Sequence, residues 1–364
     1  MRTPTVTAGR IARAAMVTAC GVALVATAGC NTKPSASSPT AATITVERPI
    51  ICVAQSDSVN KEYAQSFVDA LKAAAKDRRS SDDKTISVRE LFSAPTAKEA
   101  LEAAQRAGCA VIVTPGASMS AAARDQAKKH PDVIYEATGV ERSERLPANL
   151  TPLNSGLDAP AFLAGYIAAG TTRTGVLGAL SASTTDSPVA RGFAQGVDFY
   201  NQAKGTGVVV QGWNAGSHRA TSATNAEEVN GQVGTYIGQH ADIILVDADA
   251  FSPAAIEAVK KADNGVSLIF TGRDAWETLP ESRDVLMTSL VTDTKELAPA
   301  MLRPITRGSV HADSDIGYTQ RLNTAHMADF HDFSVRISDS LKKEADSLNK
   351  QVEHGTIVIG RDVR

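Results

Sequence analysis

Aromatic side chains are scarce in this chain. Two Trp, six Tyr and nine Phe make up 5% of its 364 residues, so any ring placed beside a polar cleft carries unusual weight. An excess of one charge is missing too. The 37 Lys+Arg and 40 Asp+Glu leave a formal net charge of -3, which argues against a broad nucleic-acid surface. The longest apolar run, 14–28, is about 15 residues, short of the roughly 20 a membrane-spanning helix needs. Catalytic signatures are absent: no GxSxG, no P-loop, no GxGxxG and no HExxH occurs, so the chain reads as a non-enzyme without cofactor or metal. The seven His are dispersed. His326 and His331, on a segment expected to be helical, would point about 140° apart and read as parts of a solvated face. Asp247 and Asp249 alternate after an apolar run, but too few oxygen donors flank them for a cation that needs six or more.

What is present begins with an address. Residues 1–29 hold Arg2, Arg10 and Arg13, no acid, and the apolar run. A basic head, a short apolar stretch and small residues before a cut describe a secretory signal. Thr27-Ala28-Gly29-Cys30 resembles the lipobox of bacterial lipoproteins, in which the cysteine (here Cys30) takes a diacylglyceryl group and becomes the mature N-terminus. Residues 30–47 then read as a lipidated tether, because the Ser, Thr, Ala and Pro of 31–43 cannot fold alone. Losing 1–29 removes three arginines and no acid, leaving the mature chain at -6. Its attachment to the extracytoplasmic face of a bacterial membrane would rest on lipid, not charge. Of four cysteines, Cys20 leaves with the signal and Cys30 is spent on lipid. Cys52 and Cys109 remain, as a disulfide or as two buried thiols.

From residue 48 apolar runs alternate with helical periods. The runs 50–54, 85–91, 110–114 and 133–135 read as strands, while Val59, Tyr63, Phe67, Leu71 and Ala74 mark one face of a helix and 97–107 is helical by propensity. The rhythm restarts at Asp158, expected to cap a helix with Pro160 in its first turn. Strands at 175–180, 208–212, 242–246, 266–270 and 284–291 follow, with helices at 188–203, 226–239 and 253–261. Helices over 295–307 and 324–353 and a last strand over 356–359 close the chain. Continuous apolar strands separated by helices indicate parallel sheets covered on both faces. At roughly 100–200 residues per domain, the length calls for two α/β lobes.

The stretches FLAGYIAAGTTRTGVLGAL at 162–180 and RGFAQGVDFYN at 191–201 carry a resemblance. With Gly212-Trp213-Asn214, His240-Ala241-Asp242-Ile243-Ile244, Gly272-Arg273-Asp274 and Leu286-Met287-Thr288-Ser289 in order, the chain resembles the basic membrane protein family over about 48–360. These are lipoprotein substrate-binding components of ABC transporters, of the purine nucleoside receptor A type. The resemblance implies the type I periplasmic binding protein fold: two doubly wound parallel-sheet lobes joined by a hinge. It implies an N-terminal lobe of 48–150 plus 291–315 and a C-terminal lobe of 151–290 plus 316–364. Crossings fall near 150–154, 290–293 and 314–318. It also implies a nucleoside-like ligand, an ABC permease and its ATPase as partners.

The family's first loop supplies an aromatic and an Asn; here Asp57 and Asn60 stay, and Val59 takes the aromatic's place. The family's base-reading Asp appears as Glu136 or is lost. Asp247-Ala248-Asp249-Ala250-Phe251 replaces a glycine-rich turn, Asp274 matches the Asp that binds ribose hydroxyls, and Thr292 replaces a Lys. On chemistry alone, Asp57, Asn60 and Asp274 can meet ribose hydroxyls, and Phe251, Trp213 or Trp276 can face a base. Plainer roles stand beside these. Asp57 and Asn60 suit a helix cap, Phe251 a core staple, Trp213 lobe packing and Trp276 an exposed loop. Two functions follow: the binding component of an importer, or a ligand-sensing or envelope-interaction lipoprotein on the same fold with a divergent cleft.

Overall fold

The run Ile50–Ser56, buried along nearly its whole length, has no polar face to offer water, and only the interior of a sheet accommodates it. The computed structural model describes residues 43–140, 146–182, 187–217, 219–311 and 324–360. The expected signal, Cys30, the expected tether before Thr43 and the crossing expected at 314–318 lie outside these. After β1 (Thr43–Thr45) come β2 (Ile50–Ser56), α1 (Lys61–Ala75), β3 (Ser87–Val88), β4 (Phe92–Ala94), α2 (Ala97–Arg106), β5 (Val111–Thr114), α3 (Ser120–Lys129), β6 (Ile134–Ala137) and β7 (Leu150–Pro152). The sheet runs β3-β2-β5-β6-β7, all parallel, with β4 also on β2.

The second run comprises α4 (Asp158–Thr171), β8 (Val176–Ser181), α5 (Pro188–Lys204), β9 (Val209–Gln211), β10 (Trp213–Asn214), β11 (Arg219–Ser222), α6 (Ala226–Gly238), β12 (Ile243–Asp247), α7 (Ser252–Ala262), β13 (Ser267–Gly272), α8 (Ala275–Thr278) and β14 (Leu286–Thr292). Then follow α9 (Thr294–Met301), α10 (Arg303–Arg307), β15 (Ser309–His311), β16 (Ala325–Met327) and α11 (Asp339–Glu353). The second sheet is β10-β11-β8-β12-β13-β14-β16, with β9 on β8. Its β8, β9 and β11 to β14 run parallel, while β10 and β16 are antiparallel to their neighbours.

Two sets of packed side chains organise this order. Ile51, Phe67, Leu71, Leu101 and Ile112 share a core with Leu297, Met301 and Ile305 of α9 and α10. Around the second sheet, Phe162, Phe193, Leu245 and Leu290 pack with Leu341 and Leu348 of α11. The chain leaves the first core at Leu153 and joins the second by Leu157. It returns between Leu290 and Leu297, and β15 then pairs with β1. Helices α4 and α5 cross at backbone contact. A Cβ built on Gly196 would lie 1.9 Å from the Phe162 carbonyl oxygen.

Five local expectations are corrected. The strand expected at 85–91 is the two-residue β3 followed by β4. Asp158 is the first helical residue of α4, while Leu157 holds the cap position. The helix over 295–307 is divided at Leu302, because Pro304 lacks an N–H and opens a new first turn. The stretch 324–353 is not one helix. Its start pairs as β16 with β14, His331 has φ 42, a left-handed value no α-helix contains, and Ser338 caps a fresh helix on Leu341 N. Residues 356–359 form turns held by Gln351 O instead of a strand. The disulfide alternative for the other two cysteines is the one observed. Cys52 joins Cys109 with Cα atoms 6.0 Å apart, inside the usual range for a disulfide. Cys109 precedes β5, so the bridge ties β2 to the α2–β5 turn and not to a paired strand position.

Candidate functional site

In doubly wound sheets, ligands gather beyond the carboxyl ends of the strands, where the strand order reverses. In the first sheet that point lies between β2 and β5; in the second, between β8 and β12. Hydroxyls line the first. Ser56 Oγ and Ser58 Oγ share a hydrogen bond of 2.6 Å, and Ser58 Oγ and Ser118 Oγ one of 2.8 Å. At the second, Asp247 ends β12 and collects three hydroxyl donors: Thr271 at 2.9 Å, Ser181 at 3.0 Å and Ser187 at 3.2 Å. Burial pushes the Asp247 carboxyl up, against the pull of those three bonds.

Two side-chain contacts join α1 to the ends of strands of the second sheet near these points. The Tyr63 hydroxyl on α1 donates to Thr292 Oγ1 at 3.2 Å. Arg273, just after β13, donates from Nη1 to Glu62 Oε2 at 2.6 Å. Between them lies a space of about 30 Å³ lined by Asn60, Tyr63, Ser252, Thr271 and Arg273 together with apolar neighbours. That is room for about one water-sized group.

The residues singled out by sequence are distributed unevenly. Asn60 lines this space while its Oδ1 accepts from Tyr63 N at 3.0 Å and caps α1. Asp57 is exposed at the end of β2. Val59 is 2% exposed and belongs to the first core, giving no face to the cleft. Phe251 packs half-buried against the second lobe at the start of α7. Trp213 lies on β10, at the opposite margin of the sheet from β14 and β16.

Asp274 and Trp276 do come together, with a residue the sequence reading placed on a solvated face. Asp274 Oδ1 accepts from Trp276 N at 3.0 Å, capping α8. The Trp276 ring stacks on His331 with centroids 4.1 Å apart, and Arg283 lies 5.0 Å from the Trp276 ring centroid. His331 Nε2 is 3.9 Å from Asp274 Oδ2. His331 is therefore an aromatic packing partner, while His326 is exposed on β16. Neither Tyr63 nor Arg273 was expected to line the site: Tyr63 stood only in the apolar face of α1, and Arg273 only in Gly272-Arg273-Asp274, beside Asp274.

Glu136 is wholly buried within β6, and neither carboxyl oxygen has a hydrogen-bond partner. Desolvation raises its pKa well above the usual range, opposed by the charge of Arg303 on α10. The folded state thus holds a proton that the unfolded chain releases near pH 4.3. Stability falls as pH rises above that value, at about 1.4 kcal/mol per pH unit while the difference is one proton. Glu136→Gln removes that slope. Melting curves should show the variant gaining on the parent as pH rises above that value, and parallel curves would place the charge elsewhere.

Two doubly wound parallel-sheet lobes, each turning its strand ends toward a shared cleft, define the type I periplasmic solute-binding fold. An ABC solute-binding protein from Aeropyrum pernix K1 superposes with TM-score 0.59 at 15% identity, over 86% of this chain and 94% of that one. One from Conexibacter woesei DSM 14684 gives 0.52 at 16% identity, over 85% and 97%. A transcriptional activator of the comK gene from Bacillus halodurans gives 0.56 at 14% identity, over 85% and 98%. Likeness at this level shows the fold alone. The sequence is more specific: residues 50–352 match the model of the Bmp family, ABC transporter substrate-binding protein PnrA-like, and the chain belongs to that family. No curated protein matches it by sequence. Among the described residues no helix is long and apolar enough to cross a membrane, and no group of three His, Cys, Asp or Glu is placed to hold a metal.

Proposed function

We propose that this member of the substrate-binding family is a lipid-anchored receptor on the extracytoplasmic face. It takes a nucleoside or a related polar small molecule into the interlobe cleft and delivers it to an ABC permease. The observation that carries the reading is the pairing of two hydroxyl-rich strand-order reversals. Ser56, Ser58 and Ser118 on one lobe and Ser181 and Thr271, both held by Asp247, on the other offer hydroxyls suited to a polyhydroxylated solute. The Cys52–Cys109 bridge supports an oxidising compartment, and Cys30 is the proposed lipid attachment.

One observation favours the second reading, a sensing or envelope-interaction lipoprotein: Val59 is buried where a stacking ring would face a base. A base held weakly leaves the sugar end to dominate recognition. In ligand-stripped protein, a panel of nucleosides, nucleobases and sugars should contain a compound that raises the melting temperature. A solute at 100 times its Kd stabilises by about 2.7 kcal/mol. Native mass spectrometry of protein extracted from membranes would identify a carried-over solute. A flat panel together with a bare native mass overturns the solute-binding reading. Co-purification of a permease and its ATPase supports import, whereas recovery of an envelope or sensor protein supports the alternative.

A further inference from the structure

We infer that the solute carries an anionic group, a phosphate or a carboxylate, and that Arg273 receives it in the cleft. This rests on the reading of the interlobe space as the solute site. Arg273 is the charged side chain among the residues lining that space. A guanidinium offers five N–H donors. Among the described residues Arg273 makes one hydrogen bond, from Nη1 to Glu62, so most of its donors remain for a ligand. Glu62 is a weak competitor, because its side chain is 73% exposed and an exposed pair of this kind contributes little.

The nearby carboxylates are committed elsewhere. Asp274 Oδ1 caps α8 and its Oδ2 lies toward His331. Asp247, behind Thr271, is occupied by its three hydroxyl donors. The fifteen-residue α1 begins beside the space at Asn60, and the eleven-residue α7 begins at Ser252 with no side-chain cap. Both helices therefore add the partial positive charge of their N-termini to that of the guanidinium. About 30 Å³ of room admits about one oxygen of an anionic group beside the guanidinium, with the rest of the solute extending toward the serines of the two strand-order reversals.

The test compares adenosine with adenosine 5′-monophosphate, and glucose with glucuronate, by calorimetry on the ligand-stripped mature chain. Three forms are measured: parent, Arg273→Gln and Glu62→Gln. The expected result is that at least one anionic member binds the parent about tenfold or more tightly than its neutral counterpart, as a charged hydrogen bond allows. Arg273→Gln should abolish that preference, so that the anionic and neutral members of a pair bind alike. Glu62→Gln should strengthen anion binding a fewfold by removing the competitor. The two pairs distinguish phosphate from carboxylate. A neutral preference in the parent, or an anion preference that survives Arg273→Gln, overturns this inference and leaves the solute-binding reading standing. Silence of all four compounds, with a neutral solute found on the native protein, also overturns it. Arg273→Gln should melt within about 1 °C of the parent, since exposed pairs contribute little, so lost binding would not reflect unfolding.

Discussion

Replacing Cys52 and Cys109 together with alanine is expected to cost about 4 kcal/mol of stability. The bridge spans a sequence separation of 57, and a loop of that length leaves the unfolded chain much freer once it is cut. Both cysteines are buried against the first core, so alanine removes the covalent constraint and little volume. Chemical denaturation of parent and double variant, each with and without reductant, measures the effect. The parent should lose most of the difference when reduced, and the variant should be indifferent. A parent unmoved by full reduction would show that the bridge contributes nothing.

Comparable in size is the effect of one methyl group where α4 and α5 cross. In Gly196→Ala the new Cβ would lie 1.9 Å from the Phe162 oxygen and 2.9 Å from Tyr166 N. Gly165 and Gly192 meet the facing backbone in the same way, at 2.0 Å from the Phe193 oxygen and 2.3 Å from the Asp158 oxygen. Backbone cannot rotate out of the way as a side chain can, so the helices must part and every contact between them loosens. A loss of about 3 kcal/mol or more is expected from such overpacking. Gly234→Ala is the matching control. That glycine is exposed on α6 with nothing within 4 Å of its virtual Cβ, and alanine there should stabilise by about 0.5–1 kcal/mol. Melting the two variants side by side separates a packing effect from a propensity effect.

Most strands and helices were legible because their residues face one environment along their whole length. The buried run at 50–54 and the four-residue rhythm from Val59 to Ala74 have few alternatives to β2 and α1. The misreadings fall where a distant partner decides. Ala325–Met327 becomes a strand because β14 lends it an edge, and no local pattern records that. Thr85–Leu91 alternates well enough for a long strand, yet β2 accepts only two residues from it before the chain turns to β4. The site was less legible than the fold. Asn60 could be found because a cap at a strand end is a local feature. Arg273 and Glu62 are 211 positions apart, and their meeting depends on how two lobes approach. Family likeness pointed to Asp274 and passed over the arginine beside it.

The margins of the two sheets have a consequence for how the protein behaves among its own kind. β10 and β16 border the second sheet with two and three residues, and β3 and β7 border the first with two and three. The seven-residue β2 has strands on both sides, and the seven-residue β14 lies between β13 and, at Leu290–Thr292, β16. A neighbouring molecule seeking an open ladder finds only stubs, too short to template a growing pair. Even crowded against other copies of itself, the protein offers among the described residues only short margins from which cross-strand aggregation could start.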